Sequence, residues 1–188
     1  MSRIEDLSES YRRHIELPWS TTIAGSQRVI MLVYNRDVER LLRAQKGLFR
    51  QATEAAGHRW REVDVTNVFA RFMSANEYRE SYFESPQYLD PHAVHADLAQ
   101  AAAERIRAAL TAEDVTDQTV VAVIGVGALF GFTSVADVIA KVEGNIQGRL
   151  LVFFPGEFAD SNYRLLGARD GWNYMAVPIT MRGQELWT

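Results

Sequence analysis

Continuous apolar runs alternate along this chain with stretches in which apolar residues recur every three or four positions. The runs are Val29–Tyr34 (VIMLVY), residues 118–124 and residues 150–154. Runs of this kind are expected of strands covered on both faces. Residues 60–65 and 172–178 complete a set of five expected strands. Between them the period changes to that of a helix. Ile4, Leu7, Tyr11 and Ile15 open the chain at helical spacing, and Pro18 ends that segment before a connector over residues 17–27. Asn35 and Asp37 can cap a helix over residues 37–56, whose Val38, Leu41, Leu42, Leu48 and Phe49 share one face and which Gly57 stops. Asp90-Pro91 has the form of a cap followed by proline at the first helical position, with an alanine-rich helix over residues 93–110 behind it. Val135, Val138, Ile139, Val142 and Ile146 stripe a helix between the third and fourth strands.

Strands alternating with helices predict a mostly parallel sheet of about five strands with helices on both faces, a three-layer Rossmann-like α/β fold. The aromatic-rich residues 68–88 are expected to form one or two helices and a loop, with Asn67 as a cap. A length of 188 residues fits one compact domain over residues 1–188, with the helix of residues 1–17 packing outside the sheet. No repeat or linker divides it.

Composition narrows the function classes. With 47% apolar and 23% charged residues, the chain has the balance of a soluble globular protein and not of a disordered one. A formal charge of −4 exerts no global pull toward nucleic acid or anionic membrane. The absence of cysteine removes disulfides, thiolate metal sites and cysteine nucleophiles together. No apolar run approaches the roughly 20 residues that span a bilayer. The opening MSRIEDLSESYRRHIEL lacks the apolar core of a secretory signal, so the cytoplasm is the expected location.

In parallel α/β sheets the loops after the strand carboxyl ends are where ligands and partners are met. Gly125, Gly127 and Gly131 follow the third strand. Exposed amides at a helix start can hold phosphate, but the dinucleotide spacing fails because Phe130 stands where the third glycine should fall, and no GK[ST] occurs. Leu129, Phe130 and Phe132 favour a tight turn packed by aromatics. After the fourth strand come Pro155, Gly156, Glu157, Asp160, Asn162, Arg164 and Asp170. With Asp37 and Asp64 after the first two strands, these acids could surround a magnesium ion and serve a nucleotide-binding or hydrolytic domain. The plainer reading caps helices and pairs the acids with Arg164 or Arg169.

His92 and His95, flanked by Asp90 and Asp97, share a helix face, as zinc ligands do, without an evident third ligand; His14 and His58 are far away in sequence. Arg36, Arg40, Arg43, Lys46 and Arg50 recur at steps of three or four along the second helix, a basic face for an acidic protein or for DNA. Glu39 and Glu54 dilute it. No GxSxG elbow is present, and the aromatics between Phe69 and Tyr88 point to packing or an interface more than to base stacking.

A strand ending in GVGALF, a helix ending in NIQGR, a strand ending in VFFPGEF, then YRLLG and a final NYMAVPI together resemble the BrxB family of BREX phage-defence operons. The matching residues are Gly125, Val126, Gly127, Ala128, Leu129, Asn145, Ile146, Gln147, Phe154, Pro155, Gly156, Glu157, Arg164, Leu165, Gly167, Asn173 and Tyr174. They cover about the last third of the chain. Two departures are visible, near Phe130-Gly131 and at Ala159-Asp160. The resemblance implies a small cytoplasmic, non-catalytic accessory or assembly subunit without a cofactor. It would work beside a PglZ-type protein, a large ATPase and a DNA methyltransferase. On that reading Gly125, Gly127, Leu129, Phe130, Pro155, Gly156, Glu157 and Arg164 belong to partner-facing or architecture-defining loops. Arg36, Arg40, Arg43 and Arg50 would then supply a docking face.

Overall fold

A computed structural model describes residues 3–20, 22–168 and 171–181 of the chain. Its apolar runs become strands. β1 (Val29–Tyr34) and β3 (Thr119–Ile124) are buried at every position, because neither has a face left for water. β2 (Arg59–Asp64), β4 (Arg149–Ala159) and β6 (Val177–Thr180) join them in the parallel order β2-β3-β4-β1-β6. The short β5 (Asn162–Leu165) pairs antiparallel with the far end of β4. β2 lies at the sheet edge and carries charge accordingly (RWREVD), with only Val63 buried.

The chain crosses the sheet twice in opposite directions. From β1 it passes over β4 and β3 to reach β2, then returns through β3 and β4 and over β1 to β6. Since crossovers keep one hand, the two directions place their connections on opposite faces. On one face lie α1 (Arg3–Ile15), α2 (Glu39–Gln45) and α3 (Gly47–Ala55), around Ile30, Leu32, Ala122, Leu151 and Phe153. On the other lie α4 (Val68–Ala75), α6 (Pro91–Leu110) and α7 (Val135–Ala140), around Met31, Val33, Val121, Val123 and Val152. Alternate residues of one strand thus feed separate cores, and each fully buried Val, Leu or Ile contributes roughly 1.5–3 kcal/mol. The stripe Ile4, Leu7, Tyr11 and Ile15 is wholly buried, so α1 forms part of the layer that covers the sheet.

Four expectations require correction. The helix over residues 37–56 is a short 3-10 turn followed by α2 and α3, which meet at Lys46. Gly47 lowers helix propensity there, and the Lys46 carbonyl is shared between the amides of Phe49 and Arg50. The stripe behind the third strand supports only the six residues of α7, with Val142 before and Ile146 after a further 3-10 turn. The fourth strand does not end at residue 154. It runs to Ala159 and turns back through Asp160 and Ser161, both at positive φ (51° and 61°), as a two-residue type I′ turn requires. Trp172, placed in the last strand, instead pairs with Tyr163 as an isolated bridge.

α5 (Arg79–Glu84) stands apart from all this, with no buried residue.

Candidate functional site

The chain leaves β1 toward one face and its neighbour β4 toward the other. The carboxyl ends of these two strands therefore splay apart, and a crevice is expected between them. Two adjoining clefts occupy that place. One, of about 310 Å³, is lined by Asn35, Arg36, Asp37, Gly156, Glu157, Leu166 and Gly167. The other, of about 260 Å³, is lined by Arg36, Glu39, Arg43, Thr66, Gly125, Gly127, Ala128, Pro155 and Leu166. Three features separate in sequence thus converge here: the glycine turn after β3, the Pro155-Gly156-Glu157 segment, and part of the basic face.

The glycine turn is set by close packing. Gly125 has φ +86°, and a Cβ placed there would stand 2.6 Å from the Thr66 amide and 2.8 Å from Asp64 Oδ1, and closer still to the Thr66 hydroxyl. The turn continues as a 3-10 segment, Val126–Leu129, with Val126 and Leu129 buried. Phe132 stacks on Phe69 of α4 at 4.4 Å between ring centroids, and Phe130 is half exposed. The turn does not open a helix, because α7 starts only at Val135, where the Ser134 hydroxyl accepts from the Asp137 amide. The helix N-terminus that a phosphate site would need is therefore not at this turn.

Pro155 and Gly156 are buried strand residues rather than loop residues. A Cβ on Gly156 would lie 2.7 Å from the Phe154 ring and closer still to the Arg164 carbonyl. The β4–β5 hairpin is held from beneath by rings: Tyr163 lies 4.6 Å from Phe158 and 5.1 Å from Trp172, and its hydroxyl donates to the Ala176 carbonyl at 3.2 Å. Burial pushes the Tyr163 phenol well above its ordinary pKa. Glu157 points to solvent, while Arg164 is half-buried on β5.

Several charges around the crevice engage one another, while the Asp37 and Glu157 carboxylates that line the first cleft pair with no described group. Arg43 donates to Glu39 Oε1 at 2.7 Å and to the Thr66 hydroxyl at 2.8 Å, and lies 3.7 Å from Asp64 Oδ2. Asp64 accepts from the Thr66 amide at 2.7 Å. Partial burial pushes the Asp64 carboxyl up, but the Thr66 hydrogen bonds and the charges of Arg43 and Lys46 outweigh it and hold the pKa low. The Tyr34 hydroxyl at the end of β1 donates to Glu39, and burial, reinforced by that carboxylate, raises its pKa steeply. Arg36 donates to the Leu166 carbonyl at 3.0 Å, tying the end of β1 to the foot of the hairpin. Along the rest of the basic face Lys46 pairs with Glu62 and Arg50 with Glu54, leaving Arg40 exposed and without an ion-pair partner among the described residues. The face expected from spacing is largely neutralised by carboxylates that spacing along one helix did not reveal.

The acids expected around magnesium do not form a cage. Among the described residues no group of three or more His, Asp or Glu side chains is placed to hold a metal ion, and Asp160 sits at the hairpin tip. Asp170 and Arg169 lie outside the described residues. Of the histidine pair, His95 Nε2 lies 3.0 Å from Asp137 of α7, and the Asp90 carboxylate accepts from the His92 amide at 2.9 Å as a helix cap. His14 and His58 are elsewhere: His58 stacks on Trp19 at 3.7 Å, with the Arg149 guanidinium 4.6 Å from the Trp19 ring centre. Leu166 and Thr66 line the crevice and were not singled out from sequence, and Glu39, also in the lining, was read only as diluting the basic face. The only local signal was Leu166-Gly167 after a strand, where φ turns positive at both residues.

A three-layer, Rossmann-like domain with its crevice at the switch point, bordered by packed turns and in part by internally paired charges, is the class that this fold and site define. No described helix is long and apolar enough to cross a membrane. The profile of the family described as "BREX protein BrxB" matches residues 61–179, well over half of the chain, and the chain belongs to that family. The match reaches from β2 to β6 and so includes the glycine turn and the whole hairpin. Membership makes the chain a component of BREX phage defence. No curated protein and no solved structure matches it.

Proposed function

We propose that this protein is a non-catalytic accessory or assembly subunit of a BREX phage-defence complex, acting in the cytoplasm through contacts with larger components. The components that suit this role are a PglZ-type protein, a large ATPase and a DNA methyltransferase. The observation that carries the reading is the state of the switch-point crevice in a BrxB-family chain. Arg43 is held by Glu39, Asp64 and Thr66, and Arg36 by the Leu166 carbonyl. Polar groups satisfied within the fold shape a firm surface, whereas a reacting molecule needs groups that converge on it. The glycine turn and the β4–β5 hairpin, with Phe130 and Glu157 facing water, are the partner-facing elements on this reading. Arg40 adds a charge that nothing in the described fold neutralises.

The test is a pull-down of the tagged chain from cells expressing its whole gene cluster, followed by size exclusion and mass spectrometry. Stable co-elution with the PglZ-type protein or the ATPase is the expected result. Elution of the chain alone from cells in which those components are present would overturn the proposal.

A further inference from the structure

Residues 76–88, which leave α4 and run through α5 into a 3-10 turn, contain no buried side chain. They carry three large aromatics that the fold leaves in water: Tyr78 is 60% exposed, Phe83 69% and Tyr88 72%. Scattered apolar residues on a surface are normal, but three aromatics on one thirteen-residue arm (76 through 88) form a patch that water disfavours. The arm is acidic as well, with Glu77, Glu80 and Glu84 against Arg79 alone. None of those three glutamates forms an ion pair within the described fold.

Where the arm begins, α4 and α6 enclose a groove of about 500 Å³. Val68, Phe72, Ala75 and Ala101 supply an apolar lining, and Arg71 and Arg105 stand at its rim. Asp97 is the one acid beside them. Arg105 donates to the Asp64 carbonyl, and neither arginine pairs with a carboxylate among the described residues. An acidic, aromatic arm and an arginine-rimmed apolar groove therefore adjoin on one surface, each lacking what the other offers.

We infer that this surface joins two copies of the chain, the arm of each lying in the groove of the other. Complementary features side by side are what a two-fold interface demands, since one rotation then satisfies both contacts at once. Phe83 and Tyr88 are the anchors, as buried aromatics dominate such interfaces. Arg71 and Arg105 face the arm glutamates of the second copy and fix its register. The inference is independent of the role in the defence complex, because it concerns the chain on its own.

Sedimentation equilibrium of the purified chain, over a series reaching roughly 10⁻⁴ M, reads the association directly. The expected species has twice the 21.3 kDa mass of one chain. Phe83→Asp and Arg71→Glu each replace an exposed side chain, and each should weaken dimerisation about tenfold or more. A monomer throughout the series would overturn the inference. So would a dimer that both substitutions leave unchanged, which would place the contact on another face.

Discussion

Gly125 and Thr66 are packed so tightly that the glycine hydrogen facing the threonine cannot be replaced by carbon. This contact joins the loop after β2 to the loop after β3, and Arg43 of α2 is anchored on the same threonine hydroxyl at 2.8 Å. Replacing Gly125 by Ala combines a left-handed backbone with a steric collision. The expected loss is about 2–4 kcal/mol, read from urea unfolding. Gly127 is the control: a Cβ there meets Pro155 Cγ at an ordinary 3.7 Å. Gly127→Ala should therefore stay within about 0.5 kcal/mol of the parent chain.

Tyr11 of α1 and Thr53 of α3 share a buried hydrogen bond of 2.7 Å, and the Thr53 hydroxyl also donates to the Phe49 carbonyl at 2.8 Å. Thr53→Val leaves the phenol buried without its partner, which costs about 1–3 kcal/mol. Tyr11→Phe in the same chain removes the stranded group, so the double variant should be less destabilised than the two single losses added together. Strict additivity in the thermodynamic cycle would contradict this bond.

Stability should fall on mild acidification. Burial depresses the His14 pKa, with the Arg149 charge adding to it. Burial also depresses that of His58, against the hydrogen bonds of its ring to Gln118 and the Ile15 backbone, with Arg149 again lowering it. Below about pH 6.5 the unfolded chain takes up these protons more readily than the folded one, so folding weakens as the pH falls through the depressed values. The carboxylates held low, Glu9 and Asp64, act only below their own ordinary range near 4.5 and 3.8. Urea midpoints between about pH 7 and pH 5 isolate the histidines. A His14→Gln, His58→Gln chain should give a flatter profile across that interval.

Arg40 and Arg43 sit one helical turn apart but will not respond alike to charge reversal. Arg40→Glu touches no described ion pair and should leave stability within about 0.5 kcal/mol. It is the clean probe of docking, with weaker recovery of the defence-complex components expected in a pull-down. Arg43→Glu sets a third acid beside Glu39 and Asp64 and should cost on the order of 1 kcal/mol by itself. Undiminished recovery with Arg40→Glu would remove Arg40 from the contact.

The layered fold was legible because burial on both sides leaves an unmistakable mark: VIMLVY and the VVAVI that follows Thr119 form unbroken apolar runs. The hairpin was not legible, because its turn is Asp160-Ser161, which reaches positive φ without the glycine that usually signals it. Pro155-Gly156 looked like the end of a strand, yet proline is tolerated here and glycine is required by the Arg164 carbonyl opposite. The helix over residues 37–56 was right in Val38, Leu42, Leu48 and Phe49, but Leu41 of the expected apolar face is 51% exposed, and the helix is broken at Gly47. The crevice lay beyond reach for a different reason. Each of its segments could be seen, but which of them meet depends on strand order, and strand order placed β1 beside β4 and not beside β2.

β4 is a single eleven-residue strand whose first half lies in the middle of the sheet and whose second half is the hairpin arm. A partner gripping Phe158 or Glu157 therefore holds the same rigid rod that β1 and β3 clamp from both sides. Pulling on it loads the ladder in shear along the strand, where many hydrogen bonds resist together. The hairpin behaves as a handle fixed to the backbone of the domain, and a force applied there moves the whole body before it opens any part of it.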